Sequence, residues 1–240
     1  MSDDEQLYYI YRQSVEALQD ARIKFLVGGG TAVAAYGRAR TTKDFDIFLN
    51  KEDLLRAMQV LNERGFFTSE TEKPWLYKAQ YPPAQIDLIT RSAGSYTLDE
   101  ESLRRGRLVA VRGQLFPLMS PEDLLVRKIS STTEGRPDWY DALSVLREQS
   151  ANLEWDYLLR RAERHPERLL SFLLFAVGDL PMGRRLIPKW VLGRLMAAAR
   201  RRLNVTQEPI ADPLMPSLRR MLQARTGTTA PPRRAESKAA

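Results

Sequence analysis

Three consecutive glycines, Gly28-Gly29-Gly30, stand between the β-prone run Ile23-Lys24-Phe25-Leu26-Val27 and the helix-forming stretch Thr31 to Tyr36. Glycine weakens the interior of a strand or a helix, so this order fixes a strand, a tight turn and a helix start. Such a turn can also bind an anion. Without Cβ atoms the backbone can approach a phosphate, and the N–H groups at the helix start can donate to it. Thr31 adds a hydroxyl where the helix begins.

The next β-prone segment carries acids. After the basic loop Arg38-Ala39-Arg40-Thr41-Thr42-Lys43, residues Asp44 to Leu49 alternate as a strand does. Side chains at i and i+2 share a face, so Asp44 and Asp46 project together while Phe45 and Ile47 turn to the core. Two carboxylates that close repel unless a cation lies between them. Asp87, flanked by Ile86 and Leu88, presents a third acid on a later strand, Ala84 to Thr90. Three acids on one sheet face suit one or two Mg²⁺ (or Mn²⁺) ions, because hard cations take oxygen donors. The sequence holds no cysteine and a single histidine, His165, so a thiolate or histidine-rich metal site is excluded.

The remaining pattern surrounds these segments with helices. Residues 6 to 22 place Leu7, Ile10, Tyr11, Val15 and Leu18 at helical spacing, and a second helix is expected over 51 to 64. Phe66-Phe67 and Trp75 to Tyr81 read as strands, with Pro82-Pro83 a stiff turn before the Asp87 strand. Trp75, Tyr77 and Tyr81 are expected in the core, as aromatic residues in β-prone segments usually are. Arg107 to Val111 and Gln114 to Leu118 flank the hairpin turn Arg112-Gly113. Ser120-Pro121-Glu122-Asp123 is a helix entry, and a further helix starts near Trp139. The acids Asp99, Glu100 and Glu101 read as another helix's first turn, not as metal ligands.

Beyond residue 150 the pattern is helical only, broken at Pro166, Pro181 and Pro188. The expected class is therefore α+β, a mixed sheet with flanking helices followed by an all-helical C-terminal region. The expected division is a catalytic domain over 1–150, a helical domain over 151–224 and a disordered basic tail over 225–240. An acidic start at Met1-Ser2-Asp3-Asp4-Glu5 and the lack of a membrane-length apolar run lead to the expectation of a soluble cytoplasmic protein with no membrane partner.

The order of strand, Gly-Gly-Gly-Thr, helix, basic loop, Asp-Phe-Asp strand and Ile-Asp-Leu strand resembles the minimal nucleotidyltransferases of the DNA polymerase β-like superfamily, over residues 20 to 150. The resemblance implies Gly29, Gly30 and Thr31 for triphosphate contact and Asp44, Asp46 and Asp87 as catalytic metal ligands. Pro121 to Lys128, followed by Arg136-Pro137-Asp138-Trp139-Tyr140-Asp141, is similar to the later motifs of the abortive-infection AbiEii-type toxin nucleotidyltransferases. That similarity implies nucleotide contact by Lys128, with Asp138 or Asp141 orienting Lys128 or Arg136. It also implies a toxin–antitoxin setting with an antitoxin protein as partner. A solvated lysine and a helix-capping Asp138 are the plainer alternatives, as an exposed loop is for Arg38, Arg40 and Lys43.

The implied reaction is transfer of a nucleoside monophosphate from an NTP such as ATP to a hydroxyl. The net charge of +7 is concentrated in the last third, where Arg184, Arg185, Lys189, Arg194 and the triplet Arg200-Arg201-Arg202 are followed by Arg219 to Arg234. That asymmetry favours an anionic acceptor such as RNA, a tRNA 3′ end above all, over a cationic aminoglycoside. A protein hydroxyl or a small molecule such as an aminoglycoside remains an alternative acceptor. An alternative of another class is a catalytically idle fold serving as a nucleic-acid or protein binding module. A P-loop ATPase is disfavoured, since no Gly-Lys-Ser/Thr ending follows the glycines.

Overall fold

A computed structural model describes residues 3–40, 42, 44–133, 139–180 and 183–203. The glycine turn sits where the sequence places it. Strand β1 (Phe25–Val27) ends at Gly28, and helix α2 (Gly29–Tyr36) begins at once, after helix α1 (Asp3–Asp20). Next come β2 (Asp44–Leu49), α3 (Leu54–Glu63), β3 (Phe67–Glu70), β4 (Leu76–Tyr81) and β5 (Ala84–Ile89). Helix α4 (Glu100–Arg105), the hairpin β6 (Arg107–Val111) and β7 (Gln114–Leu118), and helices α5 (Pro121–Ser131) and α6 (Trp139–Gln149) follow. The described chain closes with α7 (Trp155–Arg161), α8 (Pro166–Asp179), α9 (Gly183–Leu186) and α10 (Lys189–Arg202).

The strands form one seven-stranded sheet in the order β3-β4-β5-β2-β1-β7-β6. Pairs β2/β5 and β1/β7 are parallel and the others antiparallel, so the sheet is mixed and the class is α+β, as expected. Local chemistry explains the entries and turns. Arg112 and Gly113 both take positive φ, 51° and 76°, as a tight two-residue hairpin requires. Ser120 Oγ accepts from Asp123 N–H at 3.1 Å, and Pro121 needs no donor in the first turn of α5.

Two faces of β2 divide the molecule. Phe45 and Ile47 have no exposed surface, and Tyr11 of α1 stacks on Phe45 with ring centroids 4.4 Å apart at 11°. Phe116 of β7 closes on the same ring at 5.1 Å. Each fully buried side chain of this size contributes about 1.5–3 kcal/mol, so this aromatic cluster anchors α1 to the sheet centre. Asp44, Asp46 and Phe48 turn to the other face, where the glycine turn and α5 meet them. Two expectations about aromatic residues change: Tyr81 is 43% exposed, while Trp75 packs partly on the core and also lines a cavity. Both flank the outer half of the sheet, where β3 is an edge and burial is incomplete. The expected 225–240 tail and the stretch from 204 onward lie outside the described residues.

Candidate active site

The glycine turn and Asp46 are built against each other. Gly28 N–H donates to Asp46 O at 2.9 Å, which ties the turn to β2. Gly29 has φ +55°, and a Cβ there would lie 1.7 Å from Asp46 Oδ2. Any side chain at 29 would therefore displace the carboxylate as well as strain the backbone. Gly30 N–H donates to Asp46, and a Cβ at 30 would meet Thr42 Oγ1 at 2.7 Å. Thr42 in turn donates to Asp44 O at 2.9 Å. Thr31 is fully buried and does not line the cavity, and its hydroxyl finds no partner among the described residues.

Parallel pairing of β2 with β5 sets Asp46 beside Asp87 and Asp44 beside Gln85. Antiparallel pairing of β4 with β5 sets Lys78 beside Asp87 on its other side. The three acids thus share one sheet face and one cavity. Each carboxylate has its own donor: Gln85 Nε2 donates to Asp44 Oδ1 at 2.5 Å, and Lys78 Nζ to Asp87 Oδ1 at 2.8 Å. Among the described residues no group of three histidines, cysteines or acids converges closely enough to enclose a metal ion. Like-charge repulsion explains why carboxylates side by side turn to neighbouring donors. Burial and the neighbouring acids act together on Asp46. Desolvation first, then the charges of Asp87 and Asp44, push its carboxyl up to about 6 against the pull of Lys128 and of Gly30 N–H. Oxygen donors carrying net negative charge are the donor chemistry that a hard divalent cation takes.

Cations stand across the cavity. Asp141 of α6, 4% exposed at its side chain, pairs with Lys128 Nζ at 3.0 Å, Arg40 at 2.5 Å and Arg38 at 2.8 Å. Burial alone would raise Asp141, yet Lys128, Arg40 and Arg38 together hold it below the usual carboxylate range. Arg38 and Arg40, for which an exposed loop was the plainer alternative, are drawn in by this one acid. Of the two acids considered for orienting Lys128, Asp141 makes the contact, and Asp138 lies outside the described residues, as do Thr41, Lys43 and Arg136.

Arg40 and Lys128 open onto a cavity of about 870 Å³ together with Gly29, Gly30, Asp44, Asp46 and Asp87. The same cavity continues to Lys73, Trp75 and Arg91 and to the turn at 92–95. Sequence reasoning passed over Lys78 and Arg127. Lys78 could have been found, because the Pro82-Pro83 turn pairs Tyr81 with Ala84 and so, three residues back, Lys78 with Asp87. Arg127, 6% exposed, carries no such signal: beside Lys128 on a helix it looks like a solvated cation. Burial drives its guanidinium down to about 10, and it donates to Ser92 Oγ, Tyr96 O and Thr97 O.

Residues 8–174 match the model of the family described as "Nucleotidyl transferase of unknown function (DUF2204)". The chain belongs to this nucleotidyl transferase family. The matched span runs from α1 into α8 and contains every site residue named above, so the activity class is nucleotidyl transfer. No curated protein sequence matches the chain. Solved structures similar to it include the antibiotic-resistance factor ANT(2'')-Ia, at 15% identity over 93% of this chain and 100% of that one, with a TM-score of 0.42. The lincosamide antibiotic adenylyltransferase LnuA, bound to lincomycin, is similar at 15% identity over 60% and 96%, TM-score 0.41. A tRNA nucleotidyltransferase complexed with a primer tRNA and an incoming ATP analogue is similar at 9% identity over 89% and 91%, TM-score 0.32. No helix among the described residues is long and apolar enough to cross a membrane.

Proposed function

We propose that the protein moves a nucleoside monophosphate from an NTP to a hydroxyl acceptor with Mg²⁺ or Mn²⁺ as cofactor, and that the acceptor is the 3′ end of an RNA. The observation that carries this reading is the Asp46–Asp87 pairing beneath Gly29, with Asp44 two residues away and Lys128 and Arg40 across the same cavity. Asp44, Asp46 and Asp87 would hold the divalent ion, which when bound neutralises triphosphate charge and stabilises the leaving pyrophosphate.

The chain's own residues do the rest. Gly29 and Gly30, which face the cavity where Thr31 does not, let phosphate oxygens approach the backbone. Lys128 and Arg40 bind the remaining phosphate charge, and Asp141 fixes their positions. Asp138 stays a candidate for the same task. The acceptor oxygen forms a bond to the α-phosphorus, the bond from that phosphorus to the pyrophosphate oxygen breaks, and the hydroxyl proton passes to Asp87. The net charge of +7 supports a polyanionic acceptor. The Lys128–Asp141 pair supports kinship with the AbiEii-type toxins, and with it a toxin role countered by an antitoxin; growth arrest on expression would test that.

Incubation with labelled NTPs, divalent cation and total RNA tests the main reading. Label should enter RNA, and Asp44→Ala should prevent it. Label in protein alone would replace the acceptor, and label nowhere would favour the idle binding module.

A further inference from the structure

In-line transfer sets the attacking and leaving oxygens on opposite sides of the reacting phosphorus. The phosphate-binding turn Gly29-Gly30 follows β1 and adjoins Asp46 on β2, whereas Asp87 lies one strand further on, with Lys78 of β4 beyond it. A pyrophosphate held at the turn therefore leaves toward β1, and the acceptor hydroxyl arrives over β5 and β4. That half of the cavity is walled by Lys73, Trp75 and Arg91.

Both of its walls are tied down. On the approach to β4, Thr71 Oγ1 accepts from Lys73 N–H at 3.1 Å and donates to Leu76 O at 2.8 Å, and Thr90 N–H donates to Trp75 O at 3.0 Å. Opposite, Ser92 and Tyr96 form an isolated bridge around Gly94 at φ +76°, and Arg127 clasps Ser92, Tyr96 and Thr97 from beneath. Burying a guanidinium is costly unless its donors are satisfied. Here the Ser92 hydroxyl and the Tyr96 and Thr97 carbonyls accept from both terminal nitrogens, while Nε finds no partner among the described residues, and the turn is fixed in return. Fixed walls lose little freedom when a ligand arrives.

The chemistry of those walls selects the ligand. Lys73 and Arg91 are exposed cations, and the Lys73 ammonium stands 5.5 Å from the centre of the Trp75 ring. Among the described residues lining the cavity, the acids are Asp44, Asp46 and Asp87, all at the reaction centre. A polycationic acceptor would meet no counter-charge there. A nucleic-acid end offers a ring to the indole and phosphates to the two cations. Resting on the transfer reading above, we propose that Lys73, Trp75 and Arg91 form the acceptor subsite, which takes the terminal nucleotides of an RNA 3′ end with a base against Trp75.

The test is fluorescence anisotropy of a 5′-labelled RNA oligonucleotide with a free 3′ hydroxyl, titrated with full-length protein at several salt concentrations. The variants are Lys73→Glu with Arg91→Glu, which alters exposed side chains only, and Trp75→Ala. The double variant should bind RNA about tenfold or more weakly, with a salt slope reduced by about one to two. Trp75→Ala should lose about tenfold with the slope kept. ATP affinity measured by calorimetry should stay the same in both. RNA affinity and salt slope equal to wild type in both variants would overturn the subsite, and if wild type still labels RNA the transfer reading survives. Loss of RNA affinity in the variants, when wild type labels no RNA, would overturn the transfer reading and retain the subsite.

Discussion

Asp46 and Asp141 are two acids of one cavity, and their surroundings drive them in opposite directions. Asp46 sits beside Asp87 and two residues from Asp44, and its carboxyl is pushed up to about 6 by desolvation and by those charges. Asp141 is 3% exposed, yet Lys128, Arg40 and Arg38 hold its carboxyl below the usual range against that burial. The Asp141 side of the cavity is a satisfied ionic cluster that stabilises the fold. On the Asp46 side three carboxylates stand close together with one directly paired cation among the described residues, Lys78, and keeping Asp46 charged there costs stability. A fold carries such a cost at a place where the charge is used.

That contrast breaks first under substitution. Asp46→Asn should lower transfer by about 10³-fold or more, since several kcal/mol of transition-state stabilisation depend on the metal-binding charge. The same variant, stripped of metal, should melt higher than wild type near pH 8, by about 1–2 kcal/mol or on the order of 5 °C in calorimetry. Asp141→Ala should do the reverse. It leaves three cations without their shared counter-charge, so it should lower stability by about 3 kcal/mol in urea unfolding. Lys128→Met should raise the KM for NTP by about tenfold with a small change in melting temperature, because Asp141 keeps its two arginines.

The smallest effect is in pH. For Asp46 the folded value is raised, so its contribution to stability is full below about 4, the unfolded value, and is lost as pH rises through about 6. For Asp141 the folded value is lowered, so its contribution is present above about 4 and is lost as pH falls through the folded value. Metal-free wild type should therefore weaken relative to Asp46→Asn as pH rises from 5 to 8, and added Mn²⁺ should close the gap. Parallel melting curves for the two proteins across that range would contradict the contrast.

Much of the Asp46 side was legible in the sequence, because the strand period alone puts Asp44 and Asp46 on one face and the glycines just before a helix. The sequence also placed Asp87 on a nearby strand. It did not say that Asp87 would pair in register with Asp46, which depends on β5 lying parallel to β2 across an intervening hairpin. The satisfied side was harder to read. Arg38 and Arg40 are about a hundred residues from Asp141 and meet it only because α2 packs on α6. Residue type alone points Trp75 to the core, and its place on the cavity wall follows from the bend before β4. Nothing in the sequence distinguished Arg127 from Lys128, although one is clasped under the 92–97 turn and the other pairs with Asp141.

The most direct test follows the two ends of the triphosphate. ATP labelled at the α-phosphate and ATP labelled at the γ-phosphate are incubated separately with protein, Mn²⁺ and RNA, with Asp46→Asn run alongside. The α label should enter RNA, the γ label should appear in pyrophosphate, and Asp46→Asn should do neither. Transfer of the γ label to any acceptor, or α-label transfer by Asp46→Asn at the wild-type rate, would contradict nucleotidyl transfer at these carboxylates.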